Sequence, residues 1–264
     1  MEAREILLFL STYCNGKWES IYGLLTKRES FSDDFMKEVN SSIKSKYVTI
    51  LDHEYPSWLK NIYRPPFVLY YYGDFSLMQN LDKNIAVIGS RDFSDYGKKI
   101  TQYLVKDICA RYIVVSGMAV GIDTIAQEAA IQNGGKTIAV LGSGIDYCYP
   151  ASNRKLYEKL KKEHLVISEY PNATEPCPDM FPFRNRIIAA LSKGVLVTEA
   201  HEHSGTLITV EFALNMGKDV MCVPYHADEK SSCNDLISCG AFLVQKAEDI
   251  FEVMDGDSKK SKNS

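Results

Sequence analysis

Three arginines stand beside small residues and rings, and that company carries most of the chemistry this sequence offers. Arg91 follows Gly89 and Ser90 at the end of an apolar run, in VIGSR. Arg184 and Arg186 bracket Asn185 just after Phe181 and Phe183, in FPFRNR. A guanidinium offers bidentate contact to phosphate and a flat face to an unpaired base. Phe beside Arg is the usual stacking platform for single-stranded bases. Packing beneath a loop is the other reading of Phe181 and Phe183. Asn185 either caps a helix or bonds a base edge. Ser204, Gly205 and Thr206 open a further apolar helix, where free amides suit a phosphate and Thr206 could equally be an ordinary cap.

The spacing sets a limit. Residues i and i+2 of a helix lie about 200° apart. If 184–186 are helical, one arginine faces a groove and the other pairs with a carboxylate such as Glu199. If they precede the first turn, both can face it.

Two further glycine turns, at Ser116-Gly117 and Gly142-Ser143-Gly144, join those at Gly89 and Gly205. One such turn between strand and helix is a structural need whatever binds there. Four of them, one carrying Arg91, point to a phosphate-binding edge.

Catalytic patterns are missing. GSRDFSDYG stands where a dinucleotide fingerprint would begin, and the side chain of Arg91 would fill the pyrophosphate space, which argues against a NAD site. Neither a nucleophile elbow, a zinc-protease helix, a Walker A loop nor a paired-acid motif occurs. His201 and His203 lack a third ligand at fixed spacing, so no metal is expected, and no cofactor either. Lys155, Lys159, Lys161 and Lys162 read as a solvated helix face. Tyr147 and Tyr149 carry the same two readings as Phe181 and Phe183, with core packing the favoured one.

The elements that must hold these residues alternate. From Asn84 onward, β-branched runs ending in Gly alternate with helical spacing, as in NIAVIGS, YIVVSGM, KTIAVLGSGI, HLVISEYP, GVLVTEA and DVMCVP. Such runs are strands buried on both faces, so the fold is α/β, with a mostly parallel sheet covered by helices. Ligands of such sheets bind outside the carboxyl ends of the strands. Ahead of them, three short helices broken at Asn15-Gly16 form a small module, with Ser32 as a cap. A proline-bearing aromatic stretch with a strand at 67–72 follows it. The organisation expected is a helical module over 1–46, a large domain over 47–250 and a polar, disordered tail over 251–264.

The 264 residues carry a net charge of -4, against a surface that is basic throughout, though a local basic groove remains open. No run approaches the roughly 18 apolar residues of a membrane span, and the acidic start is not a signal peptide. Seven scattered cysteines without C-x-x-C read as reduced thiols of a cytoplasmic protein, with Cys109 and Cys222 as core residues.

In order, EYPSWLKNIYRPPFVLYYYGD, VIGSR, VVSGMAVGID, TIAVLGSGIDYCYP, LVISEYP, FPFRNRIIAALS, VLVTEA and SGTLITVEFAL resemble the DprA (Smf) family of DNA-processing proteins. The resemblance spans roughly 47–245. It implies an extended Rossmann-like core that binds single-stranded DNA without catalysis, forms a homodimer and helps load the RecA recombinase in natural transformation (competence) and recombination. The N-terminal helices resemble the family's SAM-like module loosely. Val120 and Gln127 stand where the family usually has Arg and His. The alternative is a LOG-like nucleotide phosphoribohydrolase, whose signature would want Gly at Ser204 and Glu at Thr209. The residues expected on DNA are Gly89, Ser90, Arg91, Ser116, Gly117, Phe181, Phe183, Arg184, Asn185, Arg186, Ser204, Gly205 and Thr206.

Overall fold

The structure is a computed structural model and describes residues 1–202, 204–229 and 231–260, without the side chains of 257–260. The chain opens with three helices, α1 (Ala3–Tyr13), α2 (Trp18–Lys27) and α3 (Asp33–Ser41). Asn15 and Gly16 take positive φ at the first break, and the Ser32 hydroxyl accepts the N–H of Phe35 at 3.4 Å to start α3. The aromatic stretch gives β1 (Lys46–Thr49), the short α4 (Ser57–Lys60) and β2 (Val68–Gly73).

Alternation then runs through β3 (Asn84–Gly89), α5 (Asp95–Ile108), β4 (Ile113–Ser116), α6 (Ile122–Gln132), β5 (Thr137–Val140), α7 (Arg154–Glu163) and β6 (Leu165–Ser168). It continues with α8 (Met180–Ala190), β7 (Gly194–Glu199), α9 (Gly205–Asn215), β8 (Asp219–Cys222), α10 (Ser232–Ser238), β9 (Phe242–Leu243) and α11 (Ala247–Lys260). The last helix runs on through 251–260, which the composition assigns to a tail. Val244, Ala247, Ile250 and Met254 are buried against the sheet, and that anchorage carries the helix into its polar end. Residues 261–264 lie outside the described residues.

The nine strands form one sheet in the order β1-β2-β6-β5-β4-β3-β7-β8-β9. β1 and β2, and β2 and β6, are antiparallel, and the other pairs are parallel. The parallel part starts at β3, steps outward through β4, β5 and β6, and returns by α8 to β7 on the other side of β3. Connections therefore leave the neighbouring carboxyl ends of β3 and β7 in opposite directions, which opens a crevice between them.

Side chains alternate across the strands as the pleat requires. Ala86 and Ile88 face α8 and α9 with Val195 and Val197, while Ile85 and Val87 face α5, α6 and α11 with Leu196 and Met221. Both faces are covered, which is why the strands read as continuous apolar runs. The N-terminal helices cover the β2 end. Leu7 and Leu8 join the cluster around Val68 and Tyr70, and the Tyr70 hydroxyl donates to Ser11 Oγ at 3.0 Å. All seven cysteines are free thiols, with Cys109 and Cys222 buried. Among the described residues, no helix is long and apolar enough to cross a membrane.

Candidate functional site

An open cleft of about 620 Å³ lies over the carboxyl ends of β3 and β7. Gly89, Ser90, Arg91 and Asp92 line it from the loop after β3. Phe181, Arg184, Asn185 and Ile188 line it from α8, and Ser204, Gly205, Thr206 and Thr209 from the start of α9. The four loops singled out by their glycines thus do gather at one edge. A smaller recess beside the cleft reaches Gly117, Val120 and Gly142.

Arg184 forms part of the floor. It is 3% exposed, yet its Nη1 donates to the carbonyls of Gly117, at 2.7 Å, and Val140. Nε reaches Asn185 Oδ1 at 3.2 Å. Among the described residues, Nη2 has no hydrogen-bond partner. Burial pushes this guanidinium down to about 10, Asp123 opposes the shift and Arg91 adds to it. A cation held where its charge is disfavoured gains from a neighbouring anion. Gly117 is glycine because of this contact: a Cβ there would lie 2.5 Å from Arg184 Nη2.

Asp123 supports the same floor. It accepts the Gly117 N–H at 3.1 Å, and burial raises its carboxyl, with Arg184 opposing. The anionic form is therefore the disfavoured one at this point of the cleft.

Arg91 is exposed and lies over the Phe181 ring, Cζ 5.5 Å from its centroid. Tyr149 tilts against the same ring, centroids 5.3 Å apart, and is 45% exposed. Its exposure departs from core packing: the Tyr149-Pro150 step carries the chain over the cleft rim, with Phe181 beneath. Phe181 in turn sits on Gly142, where a Cβ would meet its ring at 2.7 Å. The result is an open ring–guanidinium platform beside the Arg184 floor.

Other expectations meet a different geometry. Residues 184–186 are helical, so the two arginines part company, and Arg186 turns away from the cleft. It is fully buried and pairs with Glu169 at 2.6 Å, not with Glu199. Glu199 instead takes the Ser94 N–H at the start of α5, at 3.0 Å from each oxygen. Phe183 follows Arg186, stacked on it at 3.6 Å and half-buried. The Ser116 hydroxyl is buried and donates to Val87 O at 2.8 Å, so it does not reach the cleft. The Gly117 and Ser90 amides are spent on Asp123 and on Glu199 O, at 3.1 and 2.9 Å. What those loops present is shape and, at Arg91, charge. Asn185 neither caps α8 nor is buried, and its Nδ2 donates to Gly205 O at 3.2 Å, linking α8 to the mouth of α9. Ser204 Oγ is buried and has no partner among the described residues.

Residues 46–255 match the family model described as DNA recombination-mediator protein A. The chain belongs to that family. Among members of the recombination-mediator family, it is 44% identical over 204 residues to DNA processing protein DprA of Streptococcus pneumoniae, covering 76% of this chain and 72% of the relative. The X-ray structure of DprA from that organism superposes with a TM-score of 0.81 at 35% identity, over 95% of this chain and 98% of the other. A structure of DNA processing protein A from Helicobacter pylori, described as giving a single-stranded DNA binding mode, superposes at 0.72 and 28% identity, over 82% and 98%.

Two departures from the DprA pattern now have places. Val120 is 48% exposed on the wall of the recess, where a cation would face Arg91. Gln127 is fully buried and donates to Thr137 Oγ1 and Ile138 O, at 3.3 and 3.2 Å, away from the cleft. Asp123 and Asp92 are lining residues that motif reading passes over, and Tyr149 is one it leaves between stacking and packing. No group of three His, Cys, Asp or Glu side chains converges as a metal site among the described residues, and His203 lies outside them.

Proposed function

We propose that this chain binds single-stranded DNA in the cleft at the carboxyl ends of β3 and β7, without cutting it, and acts as a recombination mediator. The observation that carries this reading is the pairing of two unlike features within one opening. Arg184, with Nη2 unpartnered among the described residues, lines the floor, and exposed Arg91 and Tyr149 lie against the half-buried Phe181 ring. Phosphate neutralisation together with base stacking is how unpaired strands are held irrespective of sequence. A duplex keeps its bases stacked inside and cannot use the rings. Family membership and the Helicobacter pylori protein's described binding mode support the same ligand.

The non-catalytic part of the proposal rests on side chains. Thr209 stands where a phosphoribohydrolase would want its carboxylate, and it is 2% exposed. The lining carboxylates are Asp92 and Asp123, and Asp123 is engaged with the Gly117 amide. Homodimer formation, RecA loading and action in transformation in the cytoplasm belong to this proposal through the family.

The test is a salt-dependent titration of single-stranded against double-stranded oligonucleotides. Preference for the single strand is expected, with log affinity falling against log salt by about 0.7 for each neutralised phosphate. Equal affinity for duplex would defeat the reading, and so would release of free adenine from AMP at an enzymatic rate.

A further inference from the structure

A second ring–guanidinium stack lies on the same edge of the sheet as the cleft, with two of its residues, Trp18 and Tyr22, ahead of the segment that matches the family. Trp18 and Tyr22, one turn apart on α2, stack at 4.9 Å between centroids. Arg64 Cζ lies 5.4 Å from the Trp18 ring and 4.9 Å from the Tyr63 ring. Tyr22 is 54% and Tyr63 61% exposed, which is unusual for neighbouring large rings on a surface. Trp18 stacks with both Tyr22 and Phe67, so the open rings of the strip are those of Tyr22 and Tyr63.

The strip is also held in place. Trp18 Nε1 donates to Pro65 O at 2.9 Å, and the Trp18 ring backs onto Phe67 at 5.3 Å. Arg64 sits at φ 51, a backbone conformation that non-glycine residues rarely adopt. Its carbonyl is fixed there by Nε and Nη2 of Arg186, at 3.1 and 3.0 Å. The Arg64 guanidinium pairs with Glu19 through Nη1 while it lies against the Trp18 and Tyr63 rings.

Position connects the strip to the cleft. Phe181 rests on Gly142 past the end of β5, Arg186 bonds Glu169 past the end of β6, and a Cβ at Gly16 would lie 2.5 Å from Glu169 O. Reading along the carboxyl edge, the order is cleft, β6 end, then the start of β2 with the α2 strip. Strands lie about 4.8 Å apart, so about 19 Å of edge separates β3, at the cleft, from β2.

We propose that Trp18, Tyr22, Arg64 and Tyr63 form a stacking extension that holds the unpaired bases flanking those in the cleft. This rests on the single-stranded DNA reading above. It gives the N-terminal helices a function, lengthening the bound strand and not merely covering the sheet.

The test uses the full chain and oligo-dT of two lengths, about 6 nucleotides to fill the cleft alone and about 20 to run past it. In a Trp58→Phe background Trp18 is the one remaining tryptophan. The long oligomer should quench its fluorescence and the short one should not. Trp18→Ala should weaken the long oligomer about tenfold and leave the short one unchanged. Tyr63→Ala, at an exposed ring, should do the same in part and guards against a folding defect at Trp18. Unquenched fluorescence with equal affinities in all variants would overturn the extension and leave the cleft standing. Failure of both oligomers to bind would remove the cleft and the extension together.

Discussion

Arg186 and Glu169 meet in a two-point pair, Nη1 to Oε1 at 2.8 Å and Nη2 to Oε2 at 2.6 Å, with both side chains out of water. The remaining donors of the guanidinium go to the carbonyls of Phe183 and Arg64. Every N–H of Arg186 is thus spent inside the protein. Two residues away, Arg184 lines the cleft, and its Nη2 has no hydrogen-bond partner among the described residues. The helix that separates them by about 200° divides one sequence motif into an arginine spent on the interior and one that lines the cleft.

That division is measurable. Arg186→Met leaves the Glu169 carboxylate buried and unpaired, and stability in urea should fall by about 3–5 kcal/mol. The folded fraction should still bind oligo-dT. Undiminished stability with lost binding would make Arg186 a phosphate ligand after all.

Arg91→Ala removes an exposed cation that supports no buried contact. Oligo-dT affinity should weaken by about 1.5–3 kcal/mol, as for a charged hydrogen bond. The salt slope should become shallower by about 0.7, and the unfolding midpoint should hardly move. Phe181→Ala should weaken binding by about 1–3 kcal/mol with the slope unchanged, because stacking neutralises no phosphate. Fluorescence anisotropy at several salt concentrations separates the two outcomes.

Val120→Arg tests the same surface in the opposite direction. Val120 is 48% exposed on the recess shared with Arg91 and Phe181. A guanidinium there should tighten single-strand binding and steepen the salt slope by about 0.7. An unaltered slope would place the bound strand elsewhere.

His164, at the end of α7, is 4% exposed, and burial lowers its pKa with help from Lys136 and Lys159. The unfolded chain then binds the proton more readily than the folded one. Stability should fall as pH drops below about 6.5 and level off once pH has passed the lower folded value. His164→Leu should flatten that part of the profile in urea titrations between neutral and mildly acid pH. Parallel profiles would mean that the imidazole is not the group responsible.

The strands and the glycine turns were legible because each rests on local chemistry: β-branched runs buried on both faces, and small residues where backbone approaches a cleft. Capping by Ser32 and the break at Asn15-Gly16 follow from the same kind of rule. Less legible was the start of α8. Two prolines near Phe181 suggest a loop, yet Pro182 falls in the first turn, where its missing N–H costs nothing. That shift of one turn decides which arginine sees the cleft. Partner choice was equally hidden. Glu199 is near Arg186 in sequence, but β6 and not β7 brings its carboxylate, through the crossover of α8 between them. The amides of Ser90 and Gly117 looked free for phosphate, and only the shift in register at Gly89 and the position of Asp123 show that they are not.

The most direct measurement is a crystal structure of the full chain with oligo-dT. The account predicts a strand lying along the carboxyl edge, phosphate at Arg91 and Arg184, and a base on the Phe181 ring beside the mouth of α9. Oligonucleotide found on the amino-terminal edge or on the outer face of α5 and α11, with this cleft empty, would contradict it.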